Sequence, residues 1–230
     1  MSEKLTFTTL PCIATRDVIV QPGMQLRFDV SRPRSLASVQ MAVENDRLVF
    51  LTAQRDVSVV DPDIDDVYRV CTICEVKQVV KGADGISRVR VEGVQKAKMI
   101  DFNKDSIGIM TIVRPLKTFS REHASEEEID ALTRVIKNAF VAYSQVVPRM
   151  PDELKNSVDN AKTPEDLYEL IAFNISMPAE GRQQVLEAPS LSDKLSVLLA
   201  ILTKETQILA IEKDIHMRVG EAMDRGQRDY

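Results

Sequence analysis

From Leu5 to about Pro115, apolar residues alternate with polar ones or gather in short β-branched runs, which is the period of strands. Strands are predicted over 5–13, 24–30, 48–53, 67–80, 87–91, 95–101 and 107–113. Lys81-Gly82-Ala83-Asp84-Gly85 separates two of them and predicts a hairpin loop, because Gly82 and Gly85 take positive φ at no steric cost. One helix interrupts this half. Leu36, Val39 and Val43 share a face of 35–45, with Ser31 as the expected N-cap. The acidic stretch 61–66 predicts a short helical turn opened by Pro62, in preference to a cation site.

Beyond Pro115 the period changes to 3.6. Ser125-Glu126-Glu127-Glu128 has the S-x-x-E form of a capping box. Ile129, Leu132, Ile136, Phe140, Tyr143 and Val147 follow at helical spacing until Pro148 stops the run. Thr163-Pro164 starts a second helix through Leu167, Leu170, Ile171 and Phe173, and Pro178 opens a short one through Leu186. The longest helical stretch runs over 191–226, roughly 50 Å at ~1.5 Å per residue. Its first half is richly apolar, whereas its second half keeps only the stripe Ile211, Ile215 and Val219. The first half is expected to pack and the second to project toward something else. Gly220 and Gly226 weaken its end by about 1 kcal/mol each relative to Ala. The expected class is α+β: a β-rich lobe over 1–117, then an all-α helical lobe over 118–230 that ends in a long projecting helix.

Composition narrows the function. Hydrophobic residues make up 44% and charged residues 28%, an ordinary globular balance, and without Trp the core must come from Val, Ile, Leu and nine Met. No apolar run reaches the roughly 18 residues of a membrane span, and the start lacks the basic-then-apolar order of a secretory signal, so the chain reads as cytoplasmic. The first 115 residues carry 16 basic and 15 acidic side chains and the rest 14 and 20, so neither half has a nucleic-acid footprint. Cys12, Cys71 and Cys74 do not form a disulfide framework. On a strand, residues three apart face opposite ways, so Cys71-Thr72-Ile73-Cys74 reads as structural.

No motif carries catalysis. The eight glycines include none before Lys-Ser or Lys-Thr, which excludes a P-loop. H-E-x-x-H and G-x-S-x-G are absent, and the two histidines, His123 and His216, read as solvated. No cofactor, metal site or catalytic residue is expected. What remains is binding surface. Pro22-Gly23-Met24 places a flexible apolar side chain beside a turn tip, which suits promiscuous apolar recognition. Met177 and Met217 are further substrate-contact candidates, and Ile211, Ile215, Val219 and Met223 are candidates for an inter-subunit or inter-domain helix face.

The pattern L-P-x-x-x-x-R-D-V-x-V-x-P-G-M over 10–24, with Phe28, Val30 and Arg34, is followed by D-G-x-x-x-V-x-V-E-G-x-Q-x-A over 84–97. Together they resemble the amino-terminal substrate-binding region of the ATP-dependent Lon proteases. Cys12, Ala14, Thr15, Cys71 and Gly226 depart from the family pattern and bear on local packing. The resemblance implies a PUA-like β lobe, a helical lobe and a long helix leading toward an ATPase. It also implies capture of unfolded or damaged proteins in support of a hexameric Ser-Lys protease. The ATPase and protease motifs are absent here, so those activities do not transfer. The expectation is a recognition module separated from its motor. A stand-alone protein- or ligand-binding module of the same fold is the alternative.

Overall fold

A computed structural model describes residues 7–105, 107–120 and 124–228, with side chains described through Val219. The chain divides into two compact units. One runs to Thr118 and also takes in Arg182–Glu187; the other comprises Phe119–Gly181 and Ala188–Tyr230.

The first unit contains β1 (Thr8–Thr15), β2 (Gln25–Val30), α1 (Pro33–Glu44), β3 (Leu48–Ala53), β4 (Val70–Lys81), β5 (Ser87–Lys104) and β6 (Ile109–Pro115). The strand order is β2-β5-β4-β3-β1-β6, and β6 returns to pair with β5. The strands therefore close into a pseudo-barrel with β2 as an outer strand. The β1–β3 pair is parallel and the other pairs are antiparallel. Closure depends on the 18-residue β5. Its first part pairs with β2 and β4, and its last part, from Ala97, pairs with β6. A register shift between Met99 and Asp101 bends it between these roles. The sequence predicts two strands here, split around Gly93; the structure has one.

Both faces of this sheet are buried. Leu10, Cys12, Phe50, Cys71, Met99 and Val113 belong to one apolar cluster. Ile13, Val49, Leu51, Cys74, Val76 and Val91 belong to the other, joined by Val39 and Ala42 of α1. Burial on both faces is why 48–53 reads as a continuous apolar run rather than an alternation. Cys71 and Cys74 fall in different clusters, and all three cysteines are buried and free.

Local details depart from the sequence expectation in two places. The N-cap of α1 is Arg32, not Ser31, because Pro33 with its fixed φ takes the first helical position. The stretch 61–66 forms a turn, not a helix. Its carboxylates are engaged elsewhere: Asp61 pairs with Arg34 at 2.7 Å and Lys104 at 3.4 Å, and Asp65 pairs with Arg69 at 2.9 Å.

The second unit is built from α2 (Glu126–Val146), α3 (Asp152–Asp159), α4 (Pro164–Asn174), the start of α5 (Ala179–Glu187) and α6 (Leu191–Arg228). Ser125 caps α2 by accepting from the Glu128 amide at 3.2 Å. Thr163 and Asp166 form a reciprocal capping box on α4. Ile136, Phe140, Leu167, Ile171, Leu195, Leu198 and Leu202 are buried in its core. The sequence reading has no counterpart for α3, which is eight residues long with only Val158 buried.

Candidate substrate-recognition surface

The two segments that stand out in the sequence meet in space. Gln21-Pro22-Gly23-Met24 is a tight turn: the Met24 amide donates to the Gln21 carbonyl at 3.0 Å, and Gly23 has φ 83°. Proline second and a positive-φ glycine third are the requirements of a type II turn. Gly93 of β5 lies against it. The Gly23 amide donates to the Gly93 carbonyl at 2.8 Å, and the Gly93 amide donates to the Met24 carbonyl at 2.9 Å. A Cβ on Gly93 would stand 2.2 Å from the Gln21 carbonyl oxygen. Gly93 is thus a point of close backbone approach, which explains why it does not interrupt β5.

Polar side chains fix the same segment from behind. Thr72 Oγ1 donates to the Val20 carbonyl at 2.6 Å, and Gln21 Nε2 donates to the Arg182 carbonyl at 2.9 Å. The neighbouring residues of α5 dock on the same unit. Gln183 Nε2 donates to the Val70 carbonyl at 2.7 Å, and Lys96 Nζ donates to the Glu187 carbonyl at 3.2 Å. Burial lowers the Lys96 ammonium to about 8, against the opposing pull of Glu187. Burial likewise raises all three thiols, Cys71 to about 11. These shifts stem from packing and create no activated nucleophile. Among the described residues, no group of three or more His, Cys, Asp or Glu is arranged to hold a metal ion.

This clasp changes the standing of the first candidate. Pro22 is buried and Met24, like Val18 and Leu26, is partly buried against the apolar cluster that holds Val20 and Phe28, leaving Gly23 as the exposed tip. Val94, the residue after Gly93, is 51% exposed and supplies an apolar side chain next to the clasp. Sequence reasoning passed over it; its signal was a Val in a strand that stays apolar on both sides of a glycine.

Met177 is 8% exposed, so it is buried and leaves little surface for a contact. Met217 is different. At 55% exposure it lines a groove of about 640 Å³ between the end of α2 and the outer part of α6, where Val146, Val147, Pro148 and Leu209 supply apolar surface and Gln145, Glu212, Lys213 and His216 supply polar surface. Ile211, Ile215 and Val219 are all exposed on α6. The Met223 side chain and His123 lie outside the described residues.

Residues 9–204 match the family model of the ATP-dependent protease La (LON) substrate-binding domain. The chain belongs to this Lon substrate-binding family. It is 33% identical to the Lon protease of Desulforamulus reducens over 96% of its own length and 27% of that protein. It is 31% identical to that of Brevibacillus choshinensis over 100% of its length and 29% of that protein. The chain thus spans less than a third of the curated relatives it matches, and the matched region is their substrate-binding domain. Among solved structures, the N-terminal domain of Mycobacterium avium complex Lon protease aligns with TM-score 0.66 at 19% identity, covering 85% of this chain and 98% of that one. A Lon N-terminal domain protein from Xanthomonas campestris aligns with TM-score 0.57 at 14% identity, over 84% and 98%. Both likenesses concern the fold alone. No described helix is long and apolar enough to cross a membrane.

Proposed function

We propose that this Lon domain is the recognition and assembly module of an ATP-dependent Ser-Lys protease. It works in the cytoplasm on unfolded or damaged proteins and performs no chemistry of its own. The observation that carries the reading is the groove beside Met217, with apolar surface from Val146, Val147, Pro148 and Leu209, which sits on a chain of the Lon substrate-binding family. A Met-rimmed groove accepts varied apolar side chains, because the thioether is polarisable and the side chain repacks at little cost. An unfolded segment exposes such side chains and a native protein hides them. The exposed tip at Gly23 with Val94 is a second contact on the β unit.

The stripe Ile211, Ile215 and Val219 recurs every four residues on the exposed part of α6, which fits helix-on-helix packing. It joins this module to further copies in a hexamer, or to the ATPase and protease parts of a longer protein. Several copies held together raise the avidity for one client without any new contact.

The test is a titration of the chain with one protein in its native form and in a permanently unfolded form, at low and high salt. The expected result is tighter binding of the unfolded form with little loss at high salt, weakened by Met217→Asp. Equal binding of both forms, or binding that collapses with salt, would overturn apolar client recognition.

A further inference from the structure

The β unit has a cleft of about 220 Å³ whose wall includes Thr15 and Arg16 at the end of β1 and Arg32 and Ser35 at the start of α1. Three features of this cleft bear on charge.

The first is the open start of α1. Arg32 makes no side-chain capping bond, Pro33 has no N–H, and the first turn carries no acidic residue. The first intrahelical bond runs from the Leu36 amide to the Arg32 carbonyl, at 2.9 Å. The Arg34 and Ser35 amides therefore point out of the helix end, where the aligned peptide dipoles concentrate positive charge.

The second is Ser35 itself. It is only 5% exposed and lines the cleft, yet its hydroxyl has no hydrogen bond among the described residues. Its Oγ is not sealed from solvent, unlike the buried unpartnered Arg114 Nε and Gln183 Oε1. The hydroxyl is therefore free to donate to an acceptor oxygen that enters the cleft.

The third is the pair of guanidinium groups. Arg32 is engaged, donating to Gln54 Oε1 at 2.7 Å and to the Val59 carbonyl at 3.5 Å. Its pKa is lowered first by burial and then by the like charge of Arg16, with Asp61 opposing. Arg16 is exposed and makes no ion pair or hydrogen bond among the described residues. Two carboxylates also border the cleft. Asp29 faces Arg88 at 3.9 Å, and Asp17 is exposed at the rim. They repel any anion, and most strongly one that spreads toward them, so the favourable place for a compact anion is on the Arg16 side.

We propose that this cleft binds a single phosphoryl oxyanion, held by the Arg34 and Ser35 backbone amides, the Ser35 hydroxyl and the Arg16 guanidinium. The site is separate from the groove beside Met217 and does not depend on client recognition. Its ligand is inorganic phosphate or the phosphorylated side chain of a bound protein.

The test is a titration of the full chain with inorganic phosphate, followed by amide spectra at constant ionic strength against chloride. The expected result is saturable movement of the Arg34 and Ser35 amides, with a Kd of about 1 mM. Arg16→Ala removes an exposed side chain, leaves the other resonances in place and weakens binding about tenfold, the loss of one charge-assisted hydrogen bond. Ser35→Ala weakens it less. A phosphoserine peptide that binds tighter than phosphate assigns the site to a modified protein; one that binds no tighter assigns it to free phosphate. No saturable movement of these amides, the same movement with chloride, or undiminished affinity in Arg16→Ala would overturn the proposal. Since no unfolded protein is present, failure here leaves the client reading untouched.

Discussion

Pro22-Gly23-Met24 and the stripe Ile211, Ile215, Val219 are both short apolar signatures, one on a turn of the β unit and the other on α6. In the first, the proline is buried, the methionine is half withdrawn into the core and the glycine is bonded to Gly93. In the second, every side chain stands in solvent. The difference lies in what each pattern is for. Pro-Gly is a backbone specification: it sets φ at two residues and so fixes where the following strand begins. An apolar residue beside it is carried inward with that strand. A stripe at helical spacing specifies only a face, and a face stays open until another surface covers it. A motif that looks like an exposed contact can therefore be structural, and a plain stripe can be the free surface.

Five measurements press on this contrast. The inner half of α6 sets the upper limit: Leu198→Ala, at a fully buried position, should cost about 2–5 kcal/mol in denaturant unfolding. Gly93→Val should cost about 3 kcal/mol, because its Cβ would meet the Gln21 backbone, which has no flexible end to give way. A cost below about 0.5 kcal/mol would mean the clasp is not a tight joint.

Alkaline pH should separate the units. Cys12, Cys71 and Cys74 are all in the β unit with thiol pKa values raised by burial, Cys71 from 9.0 to about 11. A folded thiol held neutral contributes stability that is complete below 9.0 and lost as pH rises through the folded value, on the order of 3 kcal/mol for Cys71. Lys96 works the other way. Its charged form is penalised in the fold, and that penalty disappears as pH rises from about 8 to 10.5. Three thiols against one amine leave a net loss above pH 9, to be read by hydrogen exchange as earlier opening of the β unit and reduced by Cys71→Ala. In the helical unit Tyr168 is raised from 10.0 by burial, so its loss should begin at higher pH.

Gly23→Ala should cost about 1–2 kcal/mol, since an L side chain is disfavoured at φ 83°. Ile211→Ala should change stability by less than about 0.5 kcal/mol while weakening self-association or attachment in the longer assembly. A large stability loss from Ile211→Ala would show that the stripe is already covered within the chain.

Period two before Pro115 and period 3.6 after it rest on steric and burial rules that act within a few residues, so the class of nearly every element was legible from the sequence. The exceptions have local causes. Eight-residue α3, with one buried side chain, carries too little apolar signal to stand out. Ser31 lost the N-cap to Arg32 because Pro33 fixes the first helical position. The acids of 61–66 form a turn closed by their own bonds, from the Asp66 amide to the Asp63 carbonyl at 3.0 Å and from the Asp63 amide to the Asp66 carboxylate at 2.8 Å. The stripe on α6 was readable as a face, since that depends on spacing within one helix. The burial of Pro22 and Met177 was not, as it depends on neighbours supplied by other segments.

By itself, then, the sequence determined the order and type of the elements, the turn at Gln21–Met24, the divergence of Cys71 and Cys74 and the Lon resemblance. Tertiary structure alone decided that Gly93 clasps that turn and that β5 closes the barrel. It alone brought Arg182–Glu187 to the β unit through Gln21, Val70 and Lys96, at separations of 161, 113 and 91 residues. The physical reason is the range of the interactions. Dihedral preferences and capping bonds are settled among neighbours in the chain. A backbone approach too close for a Cβ, or a buried amide in need of an acceptor, is settled by whichever distant segment arrives to satisfy it.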